Sequence, residues 1–264
     1  MTPFTEQDSS HNHLEKQSIS ELLQGLNEED KTVPIIVQKA IPQIDKAISA
    51  AEKQLKNNGR LFYIGAGTSG RLAITDASEC PPTFGVPQNL VIAIIAGGDS
   101  AIRKAVEFAE DNTEQGWLDL LHYQINTNDF LIGISASGKT PYTVSALKNA
   151  RENNIPTACI TNNYNTLLAN VSDYPIELET GAEFLTGSTR LKAGTSQKLV
   201  LNMITTTLMI RLGKVLGNKM IDMQLTNEKL IDRATRYLCD MKNIDYQRAK
   251  ELLLAKGSLR KALE

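Results

Sequence analysis

A chain of 264 residues, 41% apolar and 22% charged, has the composition of a globular protein and enough length to bury a sizeable core. Its formal net charge of −2 and pI near 6.0, with no basic stripe, exclude a nucleic-acid platform. No signal peptide or bilayer-length apolar run stands out, and the three cysteines (Cys80, Cys159, Cys239) are odd in number and widely spaced, so a reduced cytoplasmic setting is expected. The three histidines (His11, His13, His122) show no metal-ligand spacing, which leaves carboxylates as the expected acid–base groups.

Residues 1–17 are polar and read as a tail that is loosely ordered or docked on a partner. Apolar residues at helical spacing over 19–26 and 33–55 predict two amphipathic helices. From Arg60 the pattern changes to short apolar runs at 61–64, 90–95, 130–135, 157–160 and 174–178, separated by segments of helical length. Five such runs predict an α/β fold with a parallel sheet covered on both faces, in which ligands bind beyond the carboxyl ends of the strands. A segment apolar on most sides, from Gly194 to about Gly217, predicts a helix buried in the domain or in a subunit interface. Residues 227–264 predict two or three short amphipathic helices. The expected organisation is an N-terminal tail and helices over 1–57, a ligand-binding domain over 58–222 and a helical appendage over 223–264.

The most informative stretch is 60–85, RLFYIGAGTSGRLAITDASECPPTFG. A buried strand enters a turn of small and hydroxyl residues, Gly65 to Gly70, and a helix then starts with free backbone N–H groups, a geometry that favours an anion. Pro81-Pro82 is expected to end that helix, leaving Glu79 near the end of a short, half-buried element close to the strand ends. Beyond the second run, an amphipathic stretch (Ile102, Val106, Ala109) leads to Glu110.

Three phosphate patterns compete. Gly65-x-Gly67-x-x-Gly70 matches a dinucleotide fingerprint, but the acid expected at the end of the next strand is missing and Asp99 comes too late. Gly133 to Thr140 matches a P-loop by letter, but Gly133 falls inside an apolar run and the remaining loop is too short to wrap a triphosphate. The third reading joins both loops: Ser69 after the first strand, with Ser135, Ser137 and Thr140 after the third, converge on one phosphate monoester held by hydroxyls and helix N-termini. Helix capping is the structural alternative for each hydroxyl taken singly.

The GTS loop and the S-x-SG-x-T loop resemble the sugar isomerase (SIS) phosphosugar-binding fold. Within it, IGAGTSGRLAITDASECPPTFG, IIAGGDSAIRKAVEFAEDN, SASGKTPY and EFLTGSTRLKAGTSQKLVLNM resemble the N-acetylmuramic acid 6-phosphate etherases, over about residues 18–229. The resemblance implies a three-layer αβα domain and a homodimer formed through the long apolar helix. It implies cleavage of the D-lactyl ether of N-acetylmuramic acid 6-phosphate to N-acetylglucosamine 6-phosphate and D-lactate, without metal or organic cofactor. It also implies Glu79 and Glu110 as the catalytic pair, and Gly67, Thr68, Ser69, Ser135, Ser137, Gly138, Thr140, Ser188 and Lys192 as substrate-binding residues. Two departures stand out: Thr5-Glu6 is followed by Gln7-Asp8-Ser9 where the family carries arginine-asparagine-proline, and the helical C-terminal region is shorter.

An alkyl ether is a poor leaving group, so elimination is the expected route. Ring opening exposes an aldehyde at C1 and acidifies the C2 proton; a base removes it, lactate leaves C3 with acid assistance, and water adds. Two carboxylates suffice for this if burial raises one toward neutrality. A non-catalytic phosphosugar regulator and an aldose–ketose isomerase are the rival readings.

Overall fold

The computed structural model describes residues 3–264. A long helix α1 (Ile19–Lys56) precedes an alternating series: β1 (Leu61–Gly65), α2 (Gly67–Phe84), β2 (Val91–Ile95), the short α3 (Ser100–Arg103), α4 (Gln115–His122), β3 (Phe130–Ile134), α5 (Pro141–Glu152), β4 (Thr157–Thr161), the short α6 (Leu167–Asn170) and β5 (Tyr174–Glu177). Helix α7 (Lys192–Arg211) and a two-stranded ribbon, β6 (Val215–Leu216) with β7 (Lys219–Met220), lead to α8 (Glu228–Lys242), α9 (Tyr246–Lys256) and α10 (Leu259–Leu263).

The five main strands form one parallel sheet in the order β2-β1-β3-β4-β5. β1 and β3, Phe130 to Ile134, are buried throughout, which is why they read as unbroken apolar runs. The order in which strands are added to the sheet reverses between the parallel neighbours β1 and β3, so the loops that follow them flank one crevice. One face of the sheet packs on α1, α2 and α7 through Tyr63, Ile132, Ile160, Val200 and Ile204; the other packs on α4, α5 and α6 through Phe62, Leu131, Leu120 and Leu147. A third apolar cluster, including Ile221, Ala234, Leu238, Leu253 and Leu259, holds α8, α9 and α10 together. Among the described residues no helix is long and apolar enough to cross a membrane.

The five expected strands are present within a residue or two of their expected bounds, and several helices differ. The two N-terminal helices are one element of 38 residues that contains Pro34 and Pro42. Both prolines are exposed, and so are Asp30 and Gln38, whose carbonyls lose their partners; residues four apart share a helix face, so water replaces the missing bonds. Ser18 starts α1 with a capping box to Glu21.

Pro81-Pro82 does not end α2. The prolines fall in its last turn, where only the bonds to the Ala77 and Ser78 carbonyls are lost, and the helix stops instead at Gly85 in the left-handed conformation. The stretch carrying Ile102, Val106 and Ala109 is not one helix: it is α3, a loop and a 3-10 turn, Ala109–Asp111. The long apolar helix ends at Arg211, short of Gly217. The tail is docked rather than loose over its described part, with 3-10 turns at Phe4–Glu6 and Leu14–Lys16; residues 1 and 2 of that expectation lie outside the described residues.

Candidate active site

An open cleft of about 440 Å³ lies beyond the carboxyl ends of β1 and β3. Its floor is the start of α2 (Gly67, Thr68, Ser69) and the loop Ser135 to Thr140; Glu110 and Asp111 stand at one side, and Glu6 and Thr189 at another.

Local sequence explains both loops. Gly70 lets α2 pack against β2, because a Cβ there would lie 2.6 Å from Ile95 Cγ1. Gly138 has φ +64°, and a Cβ on it would lie 2.4 Å from Thr166 Cβ, so the tight turn after β3 demands glycine on both counts. In that turn Ser135 Oγ lies 2.9 Å from Thr140 Oγ1 and 3.4 Å from Ser137 Oγ, while the Gly138 N–H donates to Ser135 Oγ at 3.1 Å. Pro141 occupies the first turn of α5, where its missing N–H is no loss, and Thr140 makes no capping bond with its side chain. Three hydroxyls, the N-termini of α2 and α5 and the Lys139 ammonium thus border one space, a combination suited to a phosphate dianion.

Ser69 also anchors a buried polar chain. Its hydroxyl donates to Gln197 Oε1 (2.9 Å), Gln197 Nε2 donates to Asn162 Oδ1 (2.9 Å), and Asn162 Nδ2 donates to Ser196 Oγ (2.8 Å). These bonds tie α2, the end of β4 and α7 together beneath the cleft.

Glu110 is exposed in the 3-10 turn Ala109–Asp111. The turn is entered through Phe108 at φ +61°, a conformation that strains a bulky side chain, and is left through Asn112, whose Oδ1 accepts the N–H groups of Glu114 and Gln115 at the start of α4. Arg71 donates to the Ile102 carbonyl at 3.0 Å and so braces the approach to this turn.

Of the residues expected at the substrate, Gly67, Thr68, Ser69, Glu110, Ser135, Ser137 and Thr140 line the cleft, while Gly138 shapes its loop. Ser188 and Lys192 do not line it. Lys192 is buried, its ammonium pairs with Glu29 on α1, and its backbone N–H and that of Ala193 donate to Glu183 at 2.9 Å, which fixes the start of α7. Burial raises the pKa of Glu183 despite these two donors; burial acts the same way on Glu29, but Lys192 and His11 outweigh it and hold Glu29 below its usual range.

Glu79 is exposed, and it follows Ser69 by ten residues on α2, about 15 Å along the axis. Helix α2 runs back from the cleft toward the strand starts, so Glu79 lies near the far end of the sheet and not, as expected, near the strand ends of its own chain. Glu6, Asp111 and Lys139 also line the cleft and were not expected as site residues. Lys139 was visible in the P-loop-like pattern, and Asp111 as the neighbour of Glu110. Burial pushes the Cys80 and Cys159 thiols up to about 12, which makes neither a nucleophile. Among the described residues no group of three or more His, Cys, Asp or Glu side chains is placed to hold a metal ion.

Comparison with known proteins bears on the family and the fold. Residues 43–151 match the family model of the glucokinase regulatory protein N-terminal SIS domain. The chain is 54% identical to the N-acetylmuramic acid 6-phosphate etherase of Bacteroides fragilis over 261 residues, covering 99% of this chain and 93% of that protein. It is 54% identical to the protein of that name from Christiangramia forsetii, over 100% of this chain and 96% of the relative. The Bacillus cereus protein of the same name is 51% identical over 239 residues, 90% of this chain and 81% of the relative. Among solved structures, a phosphoheptose isomerase from Francisella tularensis superposes with a TM-score of 0.59 at 18% identity, over 73% of this chain and 98% of that one, a likeness of fold.

Proposed function

Because the chain belongs to the N-acetylmuramic acid 6-phosphate etherase family, we propose that it cleaves the D-lactyl ether of N-acetylmuramic acid 6-phosphate, giving N-acetylglucosamine 6-phosphate and D-lactate in amino-sugar recycling. One observation of the molecule itself carries the reading: the hydroxyls of Ser135, Ser137 and Thr140 meet within hydrogen-bond range in a cleft shared with the N-terminal end of α2, where a sugar phosphate can be gripped by its dianion.

In this reading Gly67, Thr68, Ser69, Ser135, Ser137 and Thr140 hold the phosphate, and Gly138 supplies the turn. The sugar then extends toward Glu110, which assists proton transfer at C2 or in the addition of water. Glu79 protonates the lactate oxygen as the C3–O bond breaks; the electron pair left at C2 forms the C2–C3 double bond, conjugated with the C1 aldehyde, and water adds to it at C3. Binding supplies orientation, and the two carboxylates supply general acid–base catalysis.

Glu79 reaches this chemistry only in a cleft other than its own chain's, about 15 Å from its own Ser69 along α2. A homodimer in which each copy lends α2 to the other's cleft is therefore part of the proposal. Ser188 and Lys192 act by holding the loop that carries Thr189. A reduced cytoplasmic compartment, where the three free cysteines stay unpaired, is the setting proposed for it.

The test is D-lactate release from N-acetylmuramic acid 6-phosphate in deuterated water, comparing the native chain with Glu79→Gln. Lactate release with deuterium at C2, lost in the variant, is expected. Binding of the sugar phosphate without lactate would replace the reaction with the role of a phosphosugar regulator, and C2 exchange with lactate retained would point to an isomerase.

A further inference from the structure

The N-terminal segment crosses the cleft as a strap with anchors on both sides. On one side Thr5 is fully buried: its N–H donates to Asn163 Oδ1 (3.3 Å), and its Oγ1 accepts from Asn163 Nδ2 (3.0 Å). The same Asn163 amide donates to the carbonyl of Ala136, inside the loop that carries Ser135 and Ser137, so the strap is fastened to the phosphate loop itself. Phe4 packs edge-on against Tyr164, ring centroids 6.0 Å apart. On the other side the Ser9 N–H donates to Thr186 Oγ1 (2.9 Å) and Ser9 Oγ donates to the Phe184 carbonyl (2.7 Å).

Between these anchors Glu6 faces the cleft. Its Oε2 lies against Gly187, 3.6 Å from where a Cβ would stand, and among the described residues its carboxylate has neither a hydrogen-bond nor an ion-pair partner. A buried anchor at Thr5 and a half-buried one at Ser9 thus hold a segment whose acid has nothing of the protein to bind. A carboxylate here repels a phosphate and cannot serve to hold one. It suits hydrogen-bond donors, and a ligand whose phosphate occupies the Ser135–Thr140 loop presents donors only from its sugar: ring or chain hydroxyls and the acetamido N–H.

We propose that Glu6 is a specificity-determining residue of the cleft, accepting hydrogen bonds from the hydroxyl or amide donors of the phosphosugar. The assignment rests on the phosphosugar reading above and adds a substrate contact to it. The strap closes the sugar end of the cleft, and Glu6 favours a polyhydroxylated phosphate ester over phosphate alone.

The experiment measures equilibrium binding to the full chain by calorimetry, with N-acetylglucosamine 6-phosphate and inorganic phosphate as separate ligands, for the native protein, Glu6→Ala and Glu6→Gln. Loss of a hydrogen bond to a charged acceptor corresponds to about tenfold or more in affinity. Glu6→Ala is expected to weaken the sugar phosphate by that factor while phosphate alone binds unchanged or more tightly, with a negative charge removed; Glu6→Gln, which keeps one acceptor, falls between. Equal weakening of both ligands would make the strap a structural prop and overturn the proposal, as would no change in either. The readout needs no turnover, so it is separate from the lactate assay: a chain that releases lactate yet shows no Glu6 effect sinks this inference alone.

Discussion

Ser69 and Gln197, 128 residues apart in sequence, share a 2.9 Å hydrogen bond in which the serine is the donor. That bond uses the only proton Ser69 has, so donating it to a bound phosphate requires the chain below to reverse: Gln197 Nε2 must then donate to Ser69, and Asn162 Nδ2 to Gln197 Oε1. Both Ser69 and Gln197 are buried, so removing either leaves the other unsatisfied. Ser69→Ala and Gln197→Leu are each expected to cost about 1–3 kcal/mol of stability in urea unfolding. Their double variant should cost less than the sum, with a coupling of about 0.5–3 kcal/mol. Simple additivity would show that the two residues do not act as one unit.

The position of Glu79 makes a sharper prediction. Glu79→Gln and Glu110→Gln are each expected to lower lactate release by about 10²–10⁴-fold while leaving phosphosugar binding in place. Mixed and allowed to exchange subunits, the two inactive variants should regain roughly a quarter of native activity, because half of the dimers are then mixed and each mixed dimer holds one cleft with both glutamates intact. If the mixture stays inactive after exchange is verified by mass, the two acids do not meet across copies.

The features legible in the sequence were those encoded over a few consecutive residues. The β1 and β3 runs are apolar throughout because both sheet faces are covered, and the glycine–hydroxyl loops after them are set by local backbone demands such as the positive φ of Gly138. Proline misled once, at Pro81-Pro82, which falls inside the last turn of α2 and does not end it. Pro34 and Pro42 sit on the solvent side of α1 while Val33, Val37, Ala40 and Ile44 are buried on the other, so packing outweighs the lost bonds. Glu6 and Gln197 left no local mark: their places depend on Thr5 meeting Asn163, 158 residues away, and on α7 passing beneath α2. Long-range pairings of that kind are beyond what periodicity encodes.

Gly138 tests the phosphate loop without touching an acid. Gly138→Ala forces a side chain into a left-handed residue and against Thr166, whose Oγ1 accepts the Ala169 N–H at 3.1 Å. The backbone conformation alone accounts for about 1–2 kcal/mol, and the clash adds to it. The expected result is a lower urea midpoint together with weaker inhibition of lactate release by inorganic phosphate, since Ser135, Ser137 and Thr140 lose their common turn. Unchanged phosphate inhibition would separate the loop's shape from anion binding.

The last prediction concerns pH and the junction with the C-terminal helices. Burial tends to raise the pKa of Asp222, but bonds from Arg260 and Lys214 outweigh it and hold the carboxyl below the usual aspartate range. The folded value therefore lies below the unfolded one, so the stabilisation is fully present above the unfolded value and is lost as pH falls through the folded one. Since Arg260 belongs to α10 and Lys214 to the segment after α7, this carboxylate clamps the helical appendage to the end of the sheet domain. Asp222→Asn should be less stable than the native chain by about 1.5–3 kcal/mol at neutral pH, the range for hydrogen bonds to a charged group. The gap should hold down to about pH 5 and narrow below it, as Asp222 of the unfolded native chain takes up its proton before that of the folded one does. Urea unfolding of both proteins across that range, with hydrogen exchange in α8 to α10, checks it; a gap constant down to pH 3 would mean that the charge of Asp222 contributes nothing to the clamp.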